Sequence, residues 1–574
     1  MRIATFCSLL FALAACGEKN VPKSDKESEP VVQHHCAAKT TDIDWYSSGK
    51  KAPIIPGLEG INFQITTVNP EAQQYFNQGM MLSYGFNHAE AARSFYESTK
   101  LDSTCAICYW GYALVLGPNY NGGMEPGNFE RAYKASRKAY SLKSTATPRE
   151  QALIEALQSR YVENPPEDRS ELDIAYSTAM KKVSDRFPDD PDVGALYAES
   201  LMDLHPWNLY DKKTKAPHEW TPEIIRVLEH QMQLHPKHPG AHHFYIHAVE
   251  ASAHPEKGMK SAELLATLVP GSGHLVHMPS HIYINTGDYH LGSIANVEAV
   301  KVDEAYATVC GAHGVYPLAY YPHNYHFLAA TATLEGDSKL AWSAAKKVQE
   351  NTATDLLDKP LWSSLQHYYS VPYFVAVKLE MWDTLLSLPK PFGGLSYPQA
   401  IYHYARGMAF CGKDDISAAE KELAEFRKYA ADTTLKELTI WGINKISDVV
   451  VVAEHVLSGM ISKSKGDLKS ASKHFDDGIV AEDQLNYDEP PDWFFSVRHY
   501  LGETLLDAGK PAEAEKVFRD DLKTWKENGW ALAGLYEALK QQKKTKEADL
   551  VLARFEKAWQ YADVKPSAFR SSIK

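Results

Sequence analysis

The 574-residue chain lacks most of the short motifs that announce an enzyme. It has no His-Glu-x-x-His, no Gly-x-Ser-x-Gly and no phosphate-cradling Gly-x-x-x-x-Gly-Lys-Ser/Thr loop, since Asp414 follows Gly407-x-x-x-x-Gly412-Lys413, so zincin, nucleophile-elbow and P-loop chemistries have no support. It also lacks a basic excess: 60 Lys+Arg against 73 Asp+Glu leave a formal net charge of -13. Nucleic-acid binding needs a concentrated basic surface, so no nucleic-acid partner is expected. Beyond the amino-terminal segment there is no uninterrupted apolar run of about 18 residues, which excludes a membrane-spanning helix. Cysteine is scarce, at seven residues. Setting aside Cys7 and Cys16 leaves Cys36, Cys105, Cys108, Cys310 and Cys411, an odd number that forces at least one free or interchain thiol. Cys105 and Cys108 do not form a haem-attachment motif, because Tyr109 stands where that motif needs histidine. In a helical setting such a pair is expected to pack as small hydrophobes or to close a disulfide in an oxidising compartment.

Hydrophobic residues make up 44% of the chain, enough for a continuous core spread over several domains or one repeat array. The first residues read as a targeting segment, with Arg2 as its positive end and Phe6 to Ala14 as its apolar stretch. Leu13-Ala14-Ala15-Cys16-Gly17 resembles the lipobox of bacterial lipoproteins. That resemblance implies a signal peptide over 1–15, lipidation of Cys16, and a mature chain tethered to an envelope membrane from outside the cytoplasm, as a periplasmic or outer-membrane lipoprotein. The alternative is an ordinary secretory signal with a chance cysteine. Residues 16–45 are polar and read as a flexible tether, in which His34-His35-Cys36 is not preorganised to hold a metal.

From Pro70 the apolar period is that of helices. Gly79, Ala91, Ala92 and Phe95 in the first hairpin, and Gly502, Ala512, Ala514 and Phe518 near the end, place small residues where two helices approach and a large ring beside them. Amphipathic segments between them, such as 129–142, 172–187 and 416–429, are separated by Pro-rich turns, and residues 206–340 form a histidine-rich middle between flanking arrays over 46–205 and 341–574. The blocks Gly85-Phe-Asn-His-Ala-Glu-Ala91, His274-Leu-Val-His-Met-Pro-Ser-His-Ile-Tyr283 and Tyr320-Tyr-Pro-His-Asn324 resemble those of a bacterial tetratricopeptide repeat lipoprotein family of poorly defined function. The resemblance spans nearly the whole chain from about residue 60 and implies an all-α, right-handed α-α superhelix; it transfers no catalytic residues.

Residues 235–326 hold thirteen of the 24 histidines. A shift of 34 lays His243 on His277 and His247 on His281; a further shift of 49 lays His274 on His323 and His277 on His326. Within one helix, His243, His247 and Glu250 fall on one face. If matched helices lie side by side, His243, His247, Glu250, His274, His277, His281, His323 and His326 converge as donors for Zn, Cu or Fe. Trp207, Tyr283, Tyr321 and Tyr325 are the expected lining of the surrounding groove, and His242 and His254 lie off the line. Three functions remain open. They are binding of an envelope protein, peptide or small-molecule ligand in a metal-bearing cavity, a metal-free interaction scaffold, and a metal-dependent enzyme.

Overall fold

The computed structural model describes residues 42–310, 314–391, 393–493 and 495–567. The signal peptide, Cys16, Cys36 and the tether up to residue 41 lie outside them. The protein is an α-α superhelix of tetratricopeptide-like hairpins that begins with helices Pro70–Tyr84 and His88–Leu101 and closes with Gly529–Gln541 and Thr545–Ala558. Among the described residues the only sheet is a two-residue antiparallel pair, Thr439–Ile440 with Asn444–Lys445. No described helix is long and apolar enough to cross a membrane.

The small–large pattern explains how hairpins stack. Phe518 sits between Gly502 of its own hairpin and Gly534 of the next, where an added Cβ would meet its ring at 2.3 and 2.1 Å. Phe95 occupies the same niche between Gly79 and Gly111. The turns share a second device. Phe86, Gly287, Gly336, Glu380, Asp414, Gly466, Gly509 and Lys543 each take a left-handed φ between the two helices of a hairpin. Asn87, Asp337, Asp415 and Asp467 then cap the second helix with a side-chain oxygen. Cys105 and Cys108 are joined, with both thiols buried at the start of helix Ala106–Val115. Cys411 is a buried free thiol.

Both arms fold back on the middle. On the amino-terminal side, Tyr84 packs on Gly240 and its hydroxyl donates to Asp192 at 2.9 Å, while the Gly271 amide donates to Gly57 at 3.1 Å. On the carboxyl-terminal side, the Trp530 indole donates to the Thr333 carbonyl at 3.1 Å and the Tyr289 hydroxyl to the Lys526 carbonyl at 2.8 Å. The central histidine repeats are therefore covered from both directions.

The middle departs from three uniform helices opening on proline. Pro239–Glu250 is continuous, but the second stretch breaks at Pro279 into Gly273–His277 and Pro279–Thr286. Proline has no N–H to continue the ladder and its ring crowds the preceding turn. The third, Tyr321–Glu335, follows a π-helical turn at Tyr316–Tyr320. Helix Pro148–Leu157 ends four residues before Tyr161, whose buried hydroxyl donates to the Ala113 carbonyl at 2.6 Å. Gly534→Ala should force Phe518 from its niche and cost about 1–3 kcal/mol of stability, read as a lower urea midpoint.

Candidate metal centre

The helix Pro239–Glu250 presents His243, His247 and Glu250 inward, and all three are buried. His243 Nδ1 lies 2.6 Å from the Tyr84 carbonyl, which accepts only, so the ring proton is on Nδ1 and Nε2 is a bare lone pair. His247 Nδ1 lies 2.8 Å from Glu250 Oε1, and the same argument leaves its Nε2 bare. Among the described residues, neither Nε2 has a hydrogen-bond partner, and neither nitrogen of His274 has one. Each buried nitrogen left without a partner costs about 1–3 kcal/mol.

A second group lies alongside. His277 Nδ1 is 2.6 Å from Asn296 Oδ1, and the Asn296 amide is oriented by donating to the Gly292 carbonyl at 2.8 Å. His281 Nδ1 is 2.5 Å from Glu250 Oε2 and 2.9 Å from Glu489 Oε2. With both Nδ1 positions committed, the Nε2 atoms of His277 and His281 face each other at 2.9 Å, and His323 Nε2 joins them 3.1 Å from that of His277. Three imidazoles bound at 2.0–2.1 Å to one tetrahedral ion would have their nitrogens about 3.3 Å apart. The arrangement is close to a ligand set around one point.

Electrostatics favour lone pairs on most of these rings. Burial first, and then the neighbouring imidazoles, push His243, His274, His277 and His323 well below the ordinary histidine range. Burial also lowers His247, against the pull of Glu250. His281 is the exception: burial opposes its charge, but the Glu250 and Glu489 carboxylates outweigh it and hold the ring at about 10. Glu250 falls to about 2, because His281 and His247 overcome its own burial. Burial and the nearby Glu250 raise Glu489 to about 7, against His281.

A cavity of about 100 Å3 opens beside the histidines, lined by His247, His274, His281 and His323 and by Trp207, Tyr320, Tyr368 and Trp441. Two aromatic residues of its lining, Trp207 and Trp441, hold left-handed φ values of 58° and 50°. Bulky residues rarely adopt that region, and such strain concentrates at functional sites. The Phe86 ring packs on His243 at 4.6 Å and on His274 at 5.6 Å between centroids.

Seven of the eight residues expected to converge lie together; His326 does not. Its ring packs on His367 and Tyr368 at 5.5 and 5.4 Å, one inner helix away. Of the expected lining only Trp207 faces the cavity. Tyr283 is buried behind Gly292, and Tyr321 packs at a tilt against Tyr325, whose hydroxyl donates to Glu304 at 2.8 Å. His242 is tied to Ser261 and the Pro236 carbonyl, and His254 is exposed. Sequence reasoning missed Glu489 and Asp488, which reach the cavity on the loop between Leu468–Glu482 and Arg498–Asp507. That loop is acidic and Pro-rich and interrupts the repeat, and long loops inside an array of repeats tend to lie on its binding face.

No protein-family model and no curated protein matches the chain. Among solved structures it is similar to a human IFIT1 dimer with m7Gppp-AAAA (14% identity, 87% of this chain and 92% of that one, TM-score 0.31). It is also similar to yeast Tom70 (12%, 85% and 99%, TM-score 0.33) and to the APC/C hetero-tetramer Cut9-Hcn1 (12%, 90% and 79%, TM-score 0.27). These likenesses carry nothing about the chemistry of the histidine centre.

Glu250→Gln removes the acceptor that two buried imidazoles share. Chemical denaturation should show a loss of about 3–5 kcal/mol, against no more than about 0.5 kcal/mol for the exposed Glu256→Gln.

Proposed function

We propose that this chain binds a transition-metal ion at its enclosed centre, through the Nε2 atoms of His277, His281 and His323. The supporting observation is the convergence of those nitrogens at 2.9 and 3.1 Å, two of them on rings whose other nitrogen is already committed to an oxygen acceptor. Carboxylate and amide partners behind ligating histidines fix the tautomer and raise ligand basicity. Imidazole donors suit Zn, Cu or Fe. The cavity beside the triad leaves a coordination position for a small ligand, and its aromatic walls set the ligand's size. A bound ion would supply Lewis-acid or redox chemistry at that position. Helical arrays of this kind also serve as interaction scaffolds. The partnerless buried nitrogens, which a peptide groove does not need, favour the metal.

Elemental analysis of the untagged protein should find at least one transition-metal ion per chain, lost in His277→Ala/His323→Ala and kept in His326→Ala. No metal in folded wild-type protein, before or after re-addition, would leave the scaffold reading in its place.

We also propose that the chain is held to an envelope membrane through lipidated Cys16, on the strength of the lipobox-like Leu13-Ala14-Ala15-Cys16. Cys16→Ser should move the protein from the membrane fraction to the soluble one; continued membrane retention would contradict the anchor.

A further inference from the structure

The His277, His281 and His323 triad does not exhaust the buried donors. We infer that the centre holds two adjacent transition-metal ions, the second bound by His243, His247 and His274, with a ligand of two or three atoms bridging them in the cavity. The inference rests on the metal-binding reading above and extends it.

Four observations carry it. First, one ligand atom from each of His243, His247 and His274 lies within 4.8 Å of the others, and all three rings are buried. Two of these rings have Nδ1 tied to a carbonyl or carboxylate and a bare Nε2, and His277 and His281 of the first triad have Nδ1 tied in the same way. His274 completes the set with two nitrogens that have no hydrogen-bond partner at 1% exposure. Second, the triads are joined by one carboxylate. Glu250 takes the His247 Nδ1 on Oε1 at 2.8 Å and the His281 Nδ1 on Oε2 at 2.5 Å, so a single side chain orients one ligand of each ion. Third, no residue separates the triads: His247 and His281 are 5.4 Å apart between ring centroids, and His274 and His277 are 5.6 Å apart. Fourth, the cavity is lined from both sides, by His247 and His274 and by His281 and His323. Its volume of about 100 Å3 is several times the roughly 10–15 Å3 that a single water needs, so hydroxide, dioxygen or peroxide fits between the triads.

A rival grouping, with one ion among His247, Glu250 and His281, uses the same residues. It would take away the Nδ1 hydrogen bonds to Glu250, at 2.8 and 2.5 Å, that orient His247 and His281, and would leave their Nε2 atoms unused. Six imidazoles with no carboxylate in contact with the ions suit Zn, Cu, Fe or Ni, and Cu(II), at the top of the divalent affinity series, is the probe that loads such a donor set most readily.

The test is Cu(II) titration of the metal-depleted full chain, followed by bound-metal analysis and electron paramagnetic resonance. The expected result is two copper ions per chain, with a fully loaded spectrum that is broadened or integrates to clearly less spin than the copper present. His243→Ala and His323→Ala, checked for native helicity, should each bind one ion and give full spin intensity. One ion in the wild type, or two ions with an unbroadened signal of full intensity, would overturn the paired centre while leaving the mononuclear reading intact. No bound copper in folded wild type would overturn both.

Discussion

Burying an imidazole removes water from both ring nitrogens at once, and the centre of this protein is organised around that constraint. One nitrogen of four of the rings is satisfied by a fixed acceptor: the Tyr84 carbonyl for His243, the Asn296 amide oxygen for His277, and the Glu250 carboxylate for His247 and His281. The second nitrogen then has nowhere to go except toward the other rings. Glu250 is the pivot, since it alone serves two helices, Pro239–Glu250 and Pro279–Thr286.

That constraint explains why both arms return to the middle. A tetratricopeptide-like array can remain open, yet here Phe86 from the first hairpin lies on His243 and His274, and Glu489 from a loop beyond residue 480 lies against His281. The loop is held in place by Asn444, which donates to the Asn486 carbonyl and to Asp492, and by Asn285, which donates to Tyr487 and Glu489. Water is kept from the donors by residues distant in sequence, and the strain at Trp207 and Trp441 falls where those segments meet the cavity.

Much of this was legible in the residues. The Gly, Ala and Phe spacing announces stacked hairpins because the ring must fill the gap that the small residues leave, as Phe518 does between Gly502 and Gly534. The histidine repeats announce a shared site because His243, His247 and Glu250 occupy one helical face. What periodicity could not show is register across irregular turns. A shift of 49 pairs His277 with His326, whereas the π-helical turn at Tyr316–Tyr320 and the break at Pro279 bring His277 to His323, 46 residues away. His326 is thereby turned toward the next inner helix, and Tyr320 rather than Tyr321 or Tyr325 faces the cavity. Glu489 was beyond reach because no local pattern records which loop an array will fold inward.

The most direct measurement is anomalous X-ray scattering from crystals of the metal-loaded chain, with data collected on both sides of the absorption edge of the bound element. The account predicts an anomalous peak about 2.0–2.1 Å from the Nε2 atoms of His277, His281 and His323. A loaded crystal with no peak at that point, or with a peak held by residues outside the centre, would contradict it.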